Sequence, residues 1–208
     1  MDEKWVDHWL AELAGQLGRI NGTPWALFEP TADFYSWLES GDDGDLAAAE
    51  AALGRHLGLR LLPPVAYEWG LRMKPEVAGQ IRAKGSSLSR IQIPLYYAGK
   101  PHALGGILAH ELTHEYLARL NLPDGQQLAD LEPQTDLASI ALGLGKLVLN
   151  GTVTVMAAAT GEVQTIGYLS PELKAYAYRQ VNRQRAVADG VARACLTDGA
   201  LRLLAGRP

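Results

Sequence analysis

With 208 residues the chain is long enough for one domain with a real core, and its 48% hydrophobic and 20% charged residues are ordinary for a globular protein. A formal charge of −4, with basic side chains such as Arg179, Arg183 and Arg185 scattered rather than clustered, argues against nucleic acid as a partner. The single cysteine, Cys195, forbids an internal disulfide and reads as a small buried hydrophobe; no apolar run approaches the roughly 18 residues of a membrane span, so a cytoplasmic protein is expected.

The opening MDEKWVDHWL is acidic and carries tryptophans instead of a basic stretch followed by an apolar core, so no signal peptide is expected. Trp5, Trp9, Leu10, Leu13, Leu17 and Ile20 recur at helical spacing and predict an amphipathic helix whose aromatic stripe packs on the core. Thr31 is a good N-cap for a short helix through Leu38, and SGDDGD (Ser40 to Asp45) is an acidic turn. The alanine-rich stretch from Asp45 to about Leu57 predicts another helix with Gly58 beyond its end. Val65 to Trp69, after Pro63-Pro64, is a short strand expected to pair with a second one at Ser89 to Tyr97 (SRIQIPLYY). Pro75 and Gly85-Ser86-Ser87 mark the segment between them as an exposed linker. In the second strand Ile91, Ile93 and Leu95 alternate with more polar neighbours, while Pro94 removes a ladder donor and places the strand at a sheet edge. Such an edge could hold an extended peptide.

The next element carries the chemistry. His110-Glu111-Leu112-Thr113-His114 spells H-E-x-x-H, a string that arises by accident in about one chain of this size per hundred or fewer. Leu104, Ile107, Leu108, Leu112 and Leu117 place it on a helix from about His102 to Leu120, stopped by Asn121 and Pro123. Residues four apart share a helical face, with Cβ atoms roughly 5–6 Å apart, so two imidazoles can bind one small ion. Glu111 is turned about 100° from His110, which brings its carboxylate to the rim of that ion, where it could take a proton from water. A catalytic zinc centre normally has three protein ligands, and the next acids in the chain are Glu132 and Asp136, four apart on one helical face.

Here the chain resembles the gluzincin-like zinc metallopeptidases, and in particular compact zincin domains, in which H-E-x-x-H is followed some twenty residues later by E-x-x-x-D. The counterpart is Glu132-Pro-Gln-Thr-Asp136, eighteen residues after His114. The resemblance covers about Ser89 to Gly151. It implies zinc held by His110, His114 and Glu132, with Asp136 accepting a histidine N–H and fixing its tautomer. Because Glu132 precedes Pro133 it belongs at the start of its helix, with Asp136 a full turn inside, and an exchange of roles between the two acids stays open.

Pro133 to Asn150 predicts a long apolar helix ended by Asn150-Gly151; its Gly143 and Gly145 do not make a P-loop and are expected to allow close contact with the motif helix. Thr152 to Met156 and Glu162 to Ile166 predict a hairpin around Thr160-Gly161. Ser170-Pro171-Glu172 starts a further helix, and a last one runs from about Val187 towards Leu204. The expectation is a single zincin-like domain over 1–208: helical over 1–60, a sheet plus the metal helices over 61–151, and a hairpin with C-terminal helices over 152–208. Its fold class is α+β, helix-rich, with a small mixed or antiparallel sheet packed on the motif helix.

The expected activity is zinc-dependent hydrolysis of a peptide or protein substrate, with Glu111 as general base and Tyr168 as the favoured oxyanion donor ahead of Tyr176 and Tyr178. His102 reads as a surface residue at the helix start, and His8 and His56 as structural. Two rivals stand: a catalytically silent zincin-like sensor or scaffold that binds metal, and a helical interaction module using the Trp5/Trp9 stripe. Retention of Glu111 favours the enzyme.

Overall fold

Between Ala103 and Thr113 every side chain of the motif helix is buried, and a helix that is enclosed all round has to lie at the centre of its domain. The computed structural model describes residues 1–21, 26–59, 66–70, 80–84, 88–94, 97–119, 132–153 and 166–206. In chain order these form α1 (Glu3–Asn21), α2 (Ala32–Ser40), α3 (Asp43–His56), β1 (Ala66–Gly70), β2 (Gln80–Lys84) and β3 (Leu88–Pro94). They continue with the central helix α4 (Pro101–Arg119), α5 (Glu132–Ser139), a π turn (Ile140–Leu144), α6 (Gly145–Thr152), α7 (Pro171–Gln184), α8 (Asp189–Arg193) and α9 (Asp198–Leu204).

Local signals account for most helix ends. Thr31 Oγ1 accepts from Phe34 N at 3.1 Å, and Ser170 Oγ from Leu173 N at 3.3 Å with Pro171 in the first turn. Asp42 caps α3 by accepting from Gly44 N at 2.9 Å, so the helix starts at Asp43, two residues before the expected Asp45, and Gly58 follows it at φ 71°. On α1, Val6, Leu10, Leu13 and Leu17 are buried, and Trp5 and Trp9 lie half-buried against the core with ring centroids 6.2 Å apart.

The expected α+β class, with a sheet packed on the motif helix, is corrected. Helices α6 and α2, then α5 and α3, surround α4, and β2 touches it only marginally. The three short strands pair with one another in the order β1-β3-β2, β3 parallel to β1 and antiparallel to β2. Among the described residues the surroundings of the site are therefore helical, because the apolar faces of the leucine- and alanine-rich helices close over α4. The pairing of the strand near Val65 with that near Ser89 is present, Tyr67 opposite Ile91. However, β3 is the middle strand, not an edge, so strand addition by a peptide along β3 has no open side. Pro94 is its last residue, where a missing donor costs nothing. β2 lies in the stretch read as linker. Pro63-Pro64, Pro75, Gly85 to Ser87, Asn121, Pro123 and nearly all of the hairpin expected over 152–166 lie outside the described residues; Thr152 itself ends α6.

The helix expected from Pro133 to Asn150 is broken in the middle. At Gly143 the backbone turns to φ 90°, and three consecutive carbonyls of the π turn accept hydrogen bonds from outside it. Each is captured from another segment: Ala141 O by Arg185 Nη2, Leu142 O by His56 Nε2 at 2.9 Å, and Gly143 O by Phe28 N at 2.9 Å. The glycines that bring α6 close to α4 are Gly151 and Gly106, not Gly143 and Gly145: a Cβ on Gly151 would stand 3.0 Å from Gly106 Cα and from His102 O. Gly145 instead makes room for the Tyr178 ring, and Gly143 faces Ala26 and His56.

The single helix expected from Val187 to Leu204 is two. Between them Cys195, which is exposed rather than buried, takes φ 62°. The Asn150 side chain ties this corner down, donating to Cys195 O and accepting from Thr197 N, both at 2.9 Å. Among the described residues no helix is long and apolar enough to cross a membrane.

Candidate metal centre

Two consecutive turns of α4 put His110 Nε2 and His114 Nε2 3.1 Å apart, their rings at 79° to one another. Glu132, the first residue of α5, directs Oε2 to within 2.9 Å of His110 Nε2 and 3.0 Å of His114 Nε2. Three donor atoms from two helices thus form a small triangle. A tetrahedral cation with bonds of about 2.0–2.2 Å wants its ligand atoms roughly 3.4 Å apart, so the triangle would need to open by only a few tenths of an ångström. Two imidazoles and a carboxylate are a donor set suited to zinc. The Glu132 side chain is 40% exposed against 9% for His110, so the triangle is covered on one side and open on the other.

Behind the triangle, Asp136 is buried one turn into α5, and its Oδ1 accepts from His110 Nδ1 at 2.9 Å. The structure thus brings Glu132 to the Nε2 face of the histidines and Asp136 to the Nδ1 face of His110. Its Oδ2 accepts the backbone N–H groups of Tyr168 at 2.7 Å and Leu169 at 2.9 Å. Glu111 is buried beside the pair, and its charge acts on both His110 and the Tyr168 hydroxyl. Tyr168 is half-exposed, its ring centroid 5.8 Å from that of His110. Burial first, then the carboxylates of Glu132, Glu111 and Asp136, hold its hydroxyl above the usual range and hence protonated.

The other tyrosine candidates are elsewhere: Tyr176 bonds Asp7 and Tyr178 donates to Ala192 O at 2.7 Å. His56 is structural at the π turn, and His8 packs edge-on to Trp9. The surface reading of His102 is corrected: it is partly enclosed, T-stacked on Tyr35 with centroids 4.4 Å apart, and burial lowers its pKa. Two residues join the site that the motifs did not indicate. Thr135 Oγ1 makes a long contact of 3.4 Å with His114 Nδ1, and Lys174 Nζ lies 3.5 Å from Asp136 Oδ2. A signal for Lys174 existed: with Ala177, Tyr178 and Val181 it occupies the buried stripe of α7, where a lysine is out of place.

Burial opposes charge on His110, but hydrogen bonds to Asp136 and Glu132 outweigh it and push the imidazole up to about 10. Burial likewise opposes charge on Glu132, but the hydrogen bonds from His110 and His114 bring it down to about 2. For the metal-free protein the signs follow from linkage. The His110 contribution is complete below its ordinary 6.5 and lost as pH rises through about 10; that of Glu132 is complete above its ordinary 4.5 and lost as pH falls through about 2. The chelator-treated protein should therefore gain most from this cluster between these ordinary values, and Glu132→Gln should flatten the acid side of its Tm profile. A zinc ion held by this cluster would have to displace the Nε2 proton of His110, so any Tm increase on adding zinc should grow with pH. Thermal scans with zinc or chelator at several pH values check both; a zinc effect that shrinks with pH would contradict the assignment.

Compared with protein families, curated proteins and solved structures, the chain matches none.

Proposed function

We propose that this protein is a zinc-dependent peptidase of the H-E-x-x-H type, acting in the cytoplasm, with His110, His114 and Glu132 as metal ligands. One observation carries the reading: Nε2 of both histidines and Oε2 of Glu132 converge at 2.9–3.1 Å with Glu111 alongside. A bound zinc ion would supply Lewis-acid activation of water and of a substrate carbonyl. The remaining tasks fall to the chain. Glu111 accepts the proton of the attacking water and returns it to the leaving amine. Tyr168, kept protonated and half-exposed beside His110, offers its hydroxyl to the oxygen that gains negative charge. Asp136 orients His110 by accepting from Nδ1. The lone cysteine supports a reducing compartment.

Metal analysis and peptide cleavage test the proposal together. The expected result is about one zinc per chain, hydrolysis abolished by chelation, and His114→Ala protein that no longer retains zinc. One zinc per chain with no turnover on any peptide library would favour the silent metal-binding sensor, and no zinc at all would remove both readings.

A further inference from the structure

We infer that Lys174 is a positioning residue for the metal centre, fixing Asp136 and through it the ring of His110. The inference rests on the ligand assignment proposed above. Four segments meet at the Asp136 carboxylate. Oδ1 takes His110 Nδ1 from α4, and Oδ2 takes the two backbone N–H groups of Tyr168 and Leu169. Lys174, from the buried face of α7, sets its ammonium 3.5 Å from Oδ2 and donates to Ile166 O. Both side chains are almost completely buried, at 1% exposure for Lys174 and 2% for Asp136.

An ammonium is not left in a protein interior without a counter-charge, and nothing in the proposed chemistry needs this one as an acid or base. Its place is explained by what it holds. Clamped between Ile166 O and Asp136, it pins the 166–169 segment against the carboxylate. Asp136 then keeps the Nδ1 proton of His110, leaving Nε2 turned to Glu132 and His114. Gly167 makes the arrangement possible: it sits at φ 88°, and a Cβ there would stand 2.5 Å from Lys174 Nζ and 2.7 Å from both Asp136 oxygens. The same clamp carries Tyr168, whose backbone N–H is one of the carboxylate's donors.

The test is a double-mutant cycle on the full chain, read as zinc affinity by competition with a chromophoric chelator. Lys174→Met is expected to weaken zinc binding about 10-fold or more, the range seen for groups that orient metal-bound histidines. In an Asp136→Asn background the same change should add less than about 2-fold, because Lys174 acts only through that carboxylate. Unchanged affinity in Lys174→Met, or an equal loss in both backgrounds, would overturn the proposal; the second result would make Lys174 a general structural residue. Should Lys174→Met fail to fold, Gly167→Ala keeps both charged side chains but forces them apart, and it should weaken zinc binding by a comparable factor. The metal-free protein gives a reading independent of zinc. The Nδ1–H proton of His110 should appear as a downfield NMR resonance that is lost in Asp136→Asn and shifted or broadened in Lys174→Met. A wild type that binds no zinc removes the ligand assignment, and an unmoved resonance in Lys174→Met removes the positioning role.

Discussion

Glu111→Gln protein is expected to bind zinc with the stoichiometry of the parent and to cleave peptides about 10²–10⁴-fold more slowly, the usual loss when a positioned general base is removed. The amide has nearly the shape of the carboxylate, so the packing around this 4%-exposed side chain need not change. What disappears is the ability to take a proton from water. Because Glu111 is outside the donor triangle, metal content should be untouched, which separates this variant from His114→Ala. The loss should fall on kcat rather than KM, since a proton acceptor works in the transition state and not in substrate binding. Steady-state kinetics with parallel metal analysis checks the expectation; equal turnover in variant and parent would remove Glu111 from the mechanism.

The largest stability effect is expected at Gly143. At φ 90° an L side chain is strained in any surroundings, and a Cβ there would collide with the Ala26 carbonyl oxygen and approach His56 Nε2 to 3.1 Å. The Ala26 contact is to backbone, which cannot swing aside as a flexible side chain would. Gly143→Ala should cost roughly 3–5 kcal/mol, in the upper range for single substitutions. For a chain of this length that is a fall in Tm of about 6–20 °C. Thermal and urea unfolding decide it, and a change within about 0.5 kcal/mol, typical of neutral surface substitutions, would show that the turn does not need glycine.

Several of these features were legible from sequence because their causes are local. The H-E-x-x-H spacing puts both imidazoles on one face wherever the helix is packed. The bond to Pro133 placed Glu132 at the start of α5, and the caps at Thr31 and Ser170 need only their own side chains. The break at Ile140–Leu144 was not legible, because the apolar pattern runs through it unchanged. The partners of that bend come from far along the chain: Phe28 N, His56 and Arg185 donate to its carbonyls. The split between α8 and α9 likewise depends on Asn150, some 45 residues upstream. The expected sheet support failed for a related reason: strand periodicity marks a strand but does not say what packs on α4, and helices took that place. Lys174 stands out on the buried stripe of α7, but the pattern of one helix cannot tell which counter-charge on another receives it.

The broken helix also solves a problem of lengths. The polypeptide from α5 to α6 runs antiparallel to α4, touching it at His114 through Glu132 and at His102 through Gly151. Between those contacts α4 is about 18 Å long, while the facing stretch would be about 28 Å as a straight rod at 1.5 Å per residue. The bend absorbs the surplus and lets one short central rod be gripped at both ends. Losing a single residue from that bend would swing both acids about 100° around their axis, pulling the three-atom triangle apart while every donor stayed in the chain.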